Sequence, residues 1–91
     1  MMMFNEPCYV KVAGTYQGGQ IALRIIGESG EPFATATVNE PGVSLTSDEV
    51  IIKNYRENEG VLDLLVADGA VAAPRRYSPA GNPICRLLLT I

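Results

Sequence analysis

GEPFATATVNEPGVSLTSDEVIIKNYRENEG, residues 30–60, passes from an alternating β-branched run through a Pro-Gly turn into a patch dense in acids. Its first part, PFATATVN (32–39), is rich in the β-branched and aromatic residues that suit a pleated surface. Pro41 and Gly42 fit the central positions of a type II turn, because proline presets φ and glycine accepts the positive φ that follows. EVIIKNY (49–55) then reads as a further strand with Val50 and Ile52 on one face.

Upstream, Cys8, Val10 and Val12 alternate with Tyr9, Lys11 and Ala13, the period-two pattern of a strand with one buried face. Gly18 and Gly19 supply a reversal into a run with Ile21, Leu23 and Ile25 inward and Ala22, Arg24 and Ile26 outward. GESGEP (27–32) is the next reversal, so the first three strands read as an antiparallel meander.

Downstream, the spacing predicts a helix that starts near Asn54 or Asn58, runs through GVLDLLVADG and stops at Gly69. Val61, Leu64 and Leu65 form its apolar stripe, with Asp68 continuing the spacing. Glu57 and Glu59 fall near its positive amino-terminal end, which gives their acidity a structural reason. Pro74 to Pro83 reads as an irregular loop or edge, since prolines lack the amide donor of a regular element. ICRLLLTI (84–91) gives a last strand with Cys85, Leu87, Leu89 and Ile91 inward, expected beside or close to an amino-terminal strand.

The expected fold is one α+β domain over residues 1–91: an antiparallel sheet of four to five strands with one helix packed on one face. With 91 residues, 47% of them hydrophobic, the chain has room for one core and no second folding unit. No stretch approaches the roughly 18 to 20 apolar residues of a membrane span, and MMMFNEPCYV lacks the basic start and apolar run of a secretory signal. A soluble cytoplasmic protein is expected, with Cys8 and Cys85 as buried free thiols rather than a bridge.

The chain's residues argue against several chemistries. Without histidine, and with no second cysteine beside either thiol, a zinc site or a Cys-His nucleophile lacks partner residues. Asp48 and Glu49 point opposite ways on a strand, and Glu57 and Glu59 lie about 200° apart around a helix, so neither pair reads as an acid-base dyad. Serines lack a neighbouring base, and the glycines sit in isolated turns without the spacing of a phosphate cradle. No catalytic, cofactor-binding or metal-binding residue is assigned, and the chain is read as a non-enzyme.

Charge is divided along the chain, whose net value is −3. Residues 46–68 hold Asp48, Glu49, Glu57, Glu59, Asp63 and Asp68 against Lys53 and Arg56, whereas residues 69–91 carry Arg75, Arg76 and Arg86 with no acid. Arg75 and Arg76 beside Tyr77 have the chemistry to grip phosphates and stack on bases, but two arginines in a chain of pI about 4.7 argue against direct binding of nucleic acid. Their plainer reading is a surface turn paired with helix acids such as Asp63 or Asp68. Ten acids in 91 residues are also few for a nucleic-acid mimic.

The run GEPFATATVNEPG (30–42), DEVIIKNYRENEGVLDLLVADGAV (48–71) and ICRLL (84–88) resembles a family of small proteins encoded on bacterial plasmids, integrative elements and phages, known as a domain of unknown function. The resemblance assigns no catalytic residue. It implies an origin on a mobile element and, with it, an anti-CRISPR-like role: a stoichiometric protein-binding inhibitor of a bacterial defence complex. The expected partner is a bacterial protein or ribonucleoprotein complex, contacted through the acidic edge of Glu57, Glu59 and Asp63 and the Arg75–Arg76 loop, with Tyr55 and Tyr77 as aromatic anchors. Two alternatives stay open: a small-molecule sequestering domain using the sheet face of Tyr9, Lys11, Arg24, Thr35 and Thr37, and a non-inhibitory adaptor of the mobile element. A homodimer through a free sheet edge stays open as well.

Overall fold

The computed structural model describes residues 1–3 and 5–89. Strands β1 (Met2–Met3), β2 (Glu6–Thr15), β3 (Ile21–Gly27) and β4 (Pro32–Thr35) form one antiparallel sheet in that order. β5 (Glu49–Ile51), β6 (Arg76–Tyr77) and β7 (Pro83–Arg86) form a second, in the order β5-β7-β6, and one helix, α1, spans Val61–Ala67. The architecture is α+β and mostly antiparallel sheet. Among the described residues no helix is long and apolar enough to cross a membrane.

The expected meander is present as β2-β3-β4, and its turns use the expected glycines. Gly18, Gly19 and Gly30 all have positive φ. Gly42 has φ +89°, and the Val43 amide donates to the Glu40 carbonyl at 3.2 Å, as a type II turn over Pro41-Gly42 requires. Gln20 ties this turn to the β2–β3 reversal: its Nε2 donates to the Glu40 carbonyl at 2.8 Å, and its Oε1 accepts from the Glu40 amide at 3.0 Å.

The single sheet of four to five strands is instead two sheets, joined by an isolated antiparallel bridge between Thr37 and Ile52. The last strand does not lie beside an amino-terminal strand. β3 is already flanked by β2 and β4, and β7 pairs with β5 and β6 instead. Ile84, Cys85 and Leu87 are buried all the same and Leu89 is half-buried, whereas Leu88 is exposed and Ile91 lies outside the described residues. Part of the proline-rich loop is also regular. Arg76 and Tyr77 pair with Ile84 and Pro83, and Pro83 occupies the first position of its strand, where a missing amide is tolerated.

The helix is shorter than its pattern. Arg56–Asn58 form a separate 3₁₀ turn, and Gly60, at φ +87°, leads into α1. Gly60 is its N-cap, and Asn54 bonds its first turn from outside the helix, its Oδ1 accepting from the Leu62 amide at 2.9 Å. Asn58 does not; it is buried, and its Nδ2 donates to the Thr35 carbonyl of β4 at 2.7 Å. Glu57 and Glu59 thus precede the helix, and only Asp63 lies in its first turn.

Leu23, Ile25, Val50, Ile52, Val61, Leu65, Val71 and Cys85 are fully or almost fully buried in one cluster, to which both sheets and the helix contribute. Ile51 and Ile84 are paired and buried but stand outside that cluster, because alternation turns them to the other face of the second sheet. Both cysteines are free and buried. Burial raises the Cys8 thiol above its ordinary range and pushes Cys85 up to about 11.

Thr37, expected on the outward sheet face, is buried. The β-ladder is interrupted here, so its Oγ1 takes the place of a backbone acceptor for the Leu23 amide at 3.1 Å and also meets the Tyr16 hydroxyl at 3.1 Å. Thr37→Val keeps the shape but leaves a buried N–H without an acceptor, so it should cost about 1–3 kcal/mol. Urea unfolding checks this, with Thr37→Ser, which retains the hydroxyl, expected to lose less.

Candidate functional site

Tyr55 and Tyr77, 22 residues apart in the sequence, line one groove of about 530 Å³ together with Asn54, Leu62, Asn82 and Pro83. Both rings are exposed, 39% for Tyr55 and 61% for Tyr77, whereas Leu62 is half-buried and Pro83 buried. The groove therefore has an apolar base and two large rings open to solvent.

The backbone of each tyrosine is placed by its neighbours. Tyr55 follows β5 in extended conformation, just before the 3₁₀ turn. The Lys53 ammonium lies 5.6 Å from the centroid of its ring, within cation–π range, and also pairs with Glu57. That hydrogen bond holds the Glu57 carboxyl below its usual range. Tyr77 is set by β6, opposite Pro83. The Leu62 amide is held by Asn54, and Asn82 by two bonds: its amide donates to Ser78 Oγ at 3.1 Å, and its Nδ2 to Glu40 Oε2 at 2.9 Å.

The remaining residues expected at a contact surface are distributed differently. Glu57, Glu59 and Asp63 are exposed and flank Tyr55 and Leu62 along the chain, but none of them lines the groove. The Arg75–Arg76–Tyr77 group is divided. Tyr77 enters the groove, Arg76 turns to Glu49 and to the Ser44 carbonyl, at 2.8 and 2.9 Å, and Arg75 lines a separate cleft. Pairing of Arg76 with the helix acids is corrected accordingly: its partner is Glu49, and Asp68 instead pairs with the amino group of Met1 at 3.2 Å. No family model, curated protein or solved structure matches the chain. The groove is therefore read from its own chemistry.

The sequence reading missed Leu62, Asn54, Asn82 and Pro83 as groove residues. Leu62 carried the one usable signal, a large apolar side chain off the Val61–Leu65 stripe. Asn82 and Pro83 carried none, because their approach to Tyr55 depends on the pairing of β7 with β5 and β6.

Glu49 has a clear electrostatic role. The hydrogen bond from Arg76 and a second from the Thr46 amide at 2.9 Å hold its carboxyl below the ordinary value of 4.5. A lowered folded value means that this stabilisation is complete above pH about 4.5 and is lost as the pH falls through the folded value. Glu49→Gln should therefore melt below the parent protein at pH 7, and the gap should close as the pH is lowered below 4.5. Melting curves across that range check the sign.

Proposed function

We propose that this protein acts by binding: it docks on a bacterial protein or ribonucleoprotein complex through the Tyr55–Tyr77 groove and occludes the surface it covers. The observation that carries the reading is the convergence of two exposed tyrosines on one groove with Leu62 and Pro83. Tyrosine is among the residue types enriched at the energetic centres of interfaces, where a ring fills a pocket and its hydroxyl finds a polar partner. A standard interface takes about 800 Å² from each partner, which a domain of this size can supply from one side. Glu57, Glu59 and Asp63 would form a polar acidic rim that favours a basic partner surface.

The more specific part of this proposal, stoichiometric inhibition of a defence complex, extends the expectation drawn from residues 30–42, 48–71 and 84–88. Capture of partners by the tagged protein from a bacterium with active phage defence tests it, combined with phage plating on the same host. The inhibitor reading expects a retained complex and raised plating efficiency. Retention with unchanged plating would leave an adaptor and exclude the inhibitor.

The sheet face considered for a small ligand is not assembled as expected. Lys11, Arg24 and Thr35 share one row across β2, β3 and β4, but Thr37 is buried and engaged with Tyr16 and Leu23.

A further inference from the structure

Beside β6 and β7 lies a second cleft, of about 320 Å³, lined by Thr46, Asp48, Glu49, Arg75, Ile84 and Arg86 among others. Alternation along β7 separates it from the aromatic groove: Pro83 lines the groove and Ile84 the cleft, on opposite faces of the strand. Arg86 stands directly opposite Glu49 in the β5–β7 register, a position suited to a cross-strand ion pair. The Glu49 carboxylate is nevertheless committed to Arg76 at 2.8 Å and to the Thr46 amide. Asp48 accepts from Thr46 Oγ1 at 2.7 Å. Arg75 and Arg86 are exposed, and neither forms an ion pair among the described residues. With Arg76 and Glu49 matched, two guanidiniums remain against one carboxylate, that of Asp48.

We infer that Arg75 and Arg86 form a binding site for the carboxylate or phosphate group of a small anion. A guanidinium presents parallel N–H donors that match the two oxygens of a carboxylate, and two such groups on one cleft supply more donors than a single anion can satisfy. Asp48 lines the same cleft, and its negative charge weakens the attraction for any anion there.

Nitrogen-15 NMR of the arginine Nε–Hε groups tests the site, with sodium acetate titrated at constant ionic strength and chloride and phosphate as comparison anions. Acetate should shift the Arg75 and Arg86 signals saturably and chloride should not. Arg75→Gln and Arg86→Gln should each remove the saturable shift without lowering the melting temperature. Asp48→Asn should tighten acetate, because it removes a like charge from the same cleft. Tyr77→Ala should leave acetate binding unchanged, so the outcome is independent of the groove. Equal, non-saturating effects of acetate and chloride, or no gain from Asp48→Asn, would each overturn the assignment.

Discussion

Replacing Tyr55 and Tyr77 together by alanine is expected to weaken binding to the captured partner about 1,000-fold while leaving the protein folded. Alanine substitution at an interface hot spot costs about 2 kcal/mol or more, and two such losses amount to about 4 kcal/mol, or roughly three powers of ten. Both rings are solvent-exposed, so their removal takes little from the core. Surface plasmon resonance with the purified partner measures the loss, and thermal melting establishes that the variant is folded. Tyr9→Ala is the control. Tyr9 is 50% exposed on the sheet that holds β2, does not line the groove, and should leave affinity unchanged.

The second large effect concerns stability. Leu65→Ala should cost about 3 kcal/mol, since Leu65 is fully buried in the cluster that also holds residues of both sheets, and a leucine-to-alanine truncation there loses transfer free energy and leaves a cavity. For a domain of this length the melting temperature should fall by roughly 12–24 °C. Val66, the next residue on the same helix, is 36% exposed and outside the cluster. Val66→Ala should stay within about 0.5 kcal/mol of the parent. The contrast between adjacent positions separates core packing from helix propensity, which favours alanine at both.

Local patterns carried the fold as far as the β2-β3-β4 meander, the Pro41-Gly42 turn and the end of the helix at Gly69. Each of these is written in residues close together: alternation within eight positions, a proline beside a glycine, a positive-φ residue after an apolar stripe. The division into two sheets was not legible, because it depends on which edges are free once β3 has been flanked on both sides. The same holds for β6, whose two residues pair with Ile84 and Pro83 only after the chain has reversed through Pro79-Ala80. Asn58 shows the limit at a single residue. Its position suited a helix cap, yet a carbonyl 23 residues upstream took its side chain.

The candidate site was legible in its chemistry and not in its geometry. Tyr55 and Tyr77 stood out as exposed aromatics beside charge, but nothing in their separation of 22 residues placed them in one groove. Arg76 and Tyr77 were grouped because they are neighbours in sequence, and strand alternation divides them for the same reason. The helix acids looked like partners for Arg76, whereas strand pairing brought Glu49 within 2.8 Å of it.

Hydrogen–deuterium exchange on the protein with and without its captured partner is the most direct measurement of where contact is made. Protection on binding should concentrate in residues 54–62 and 77–83, which line or flank the aromatic groove. Protection confined to residues 9–13 and 22–26 of the first sheet, with the groove segments unchanged, would contradict the assignment of the docking surface.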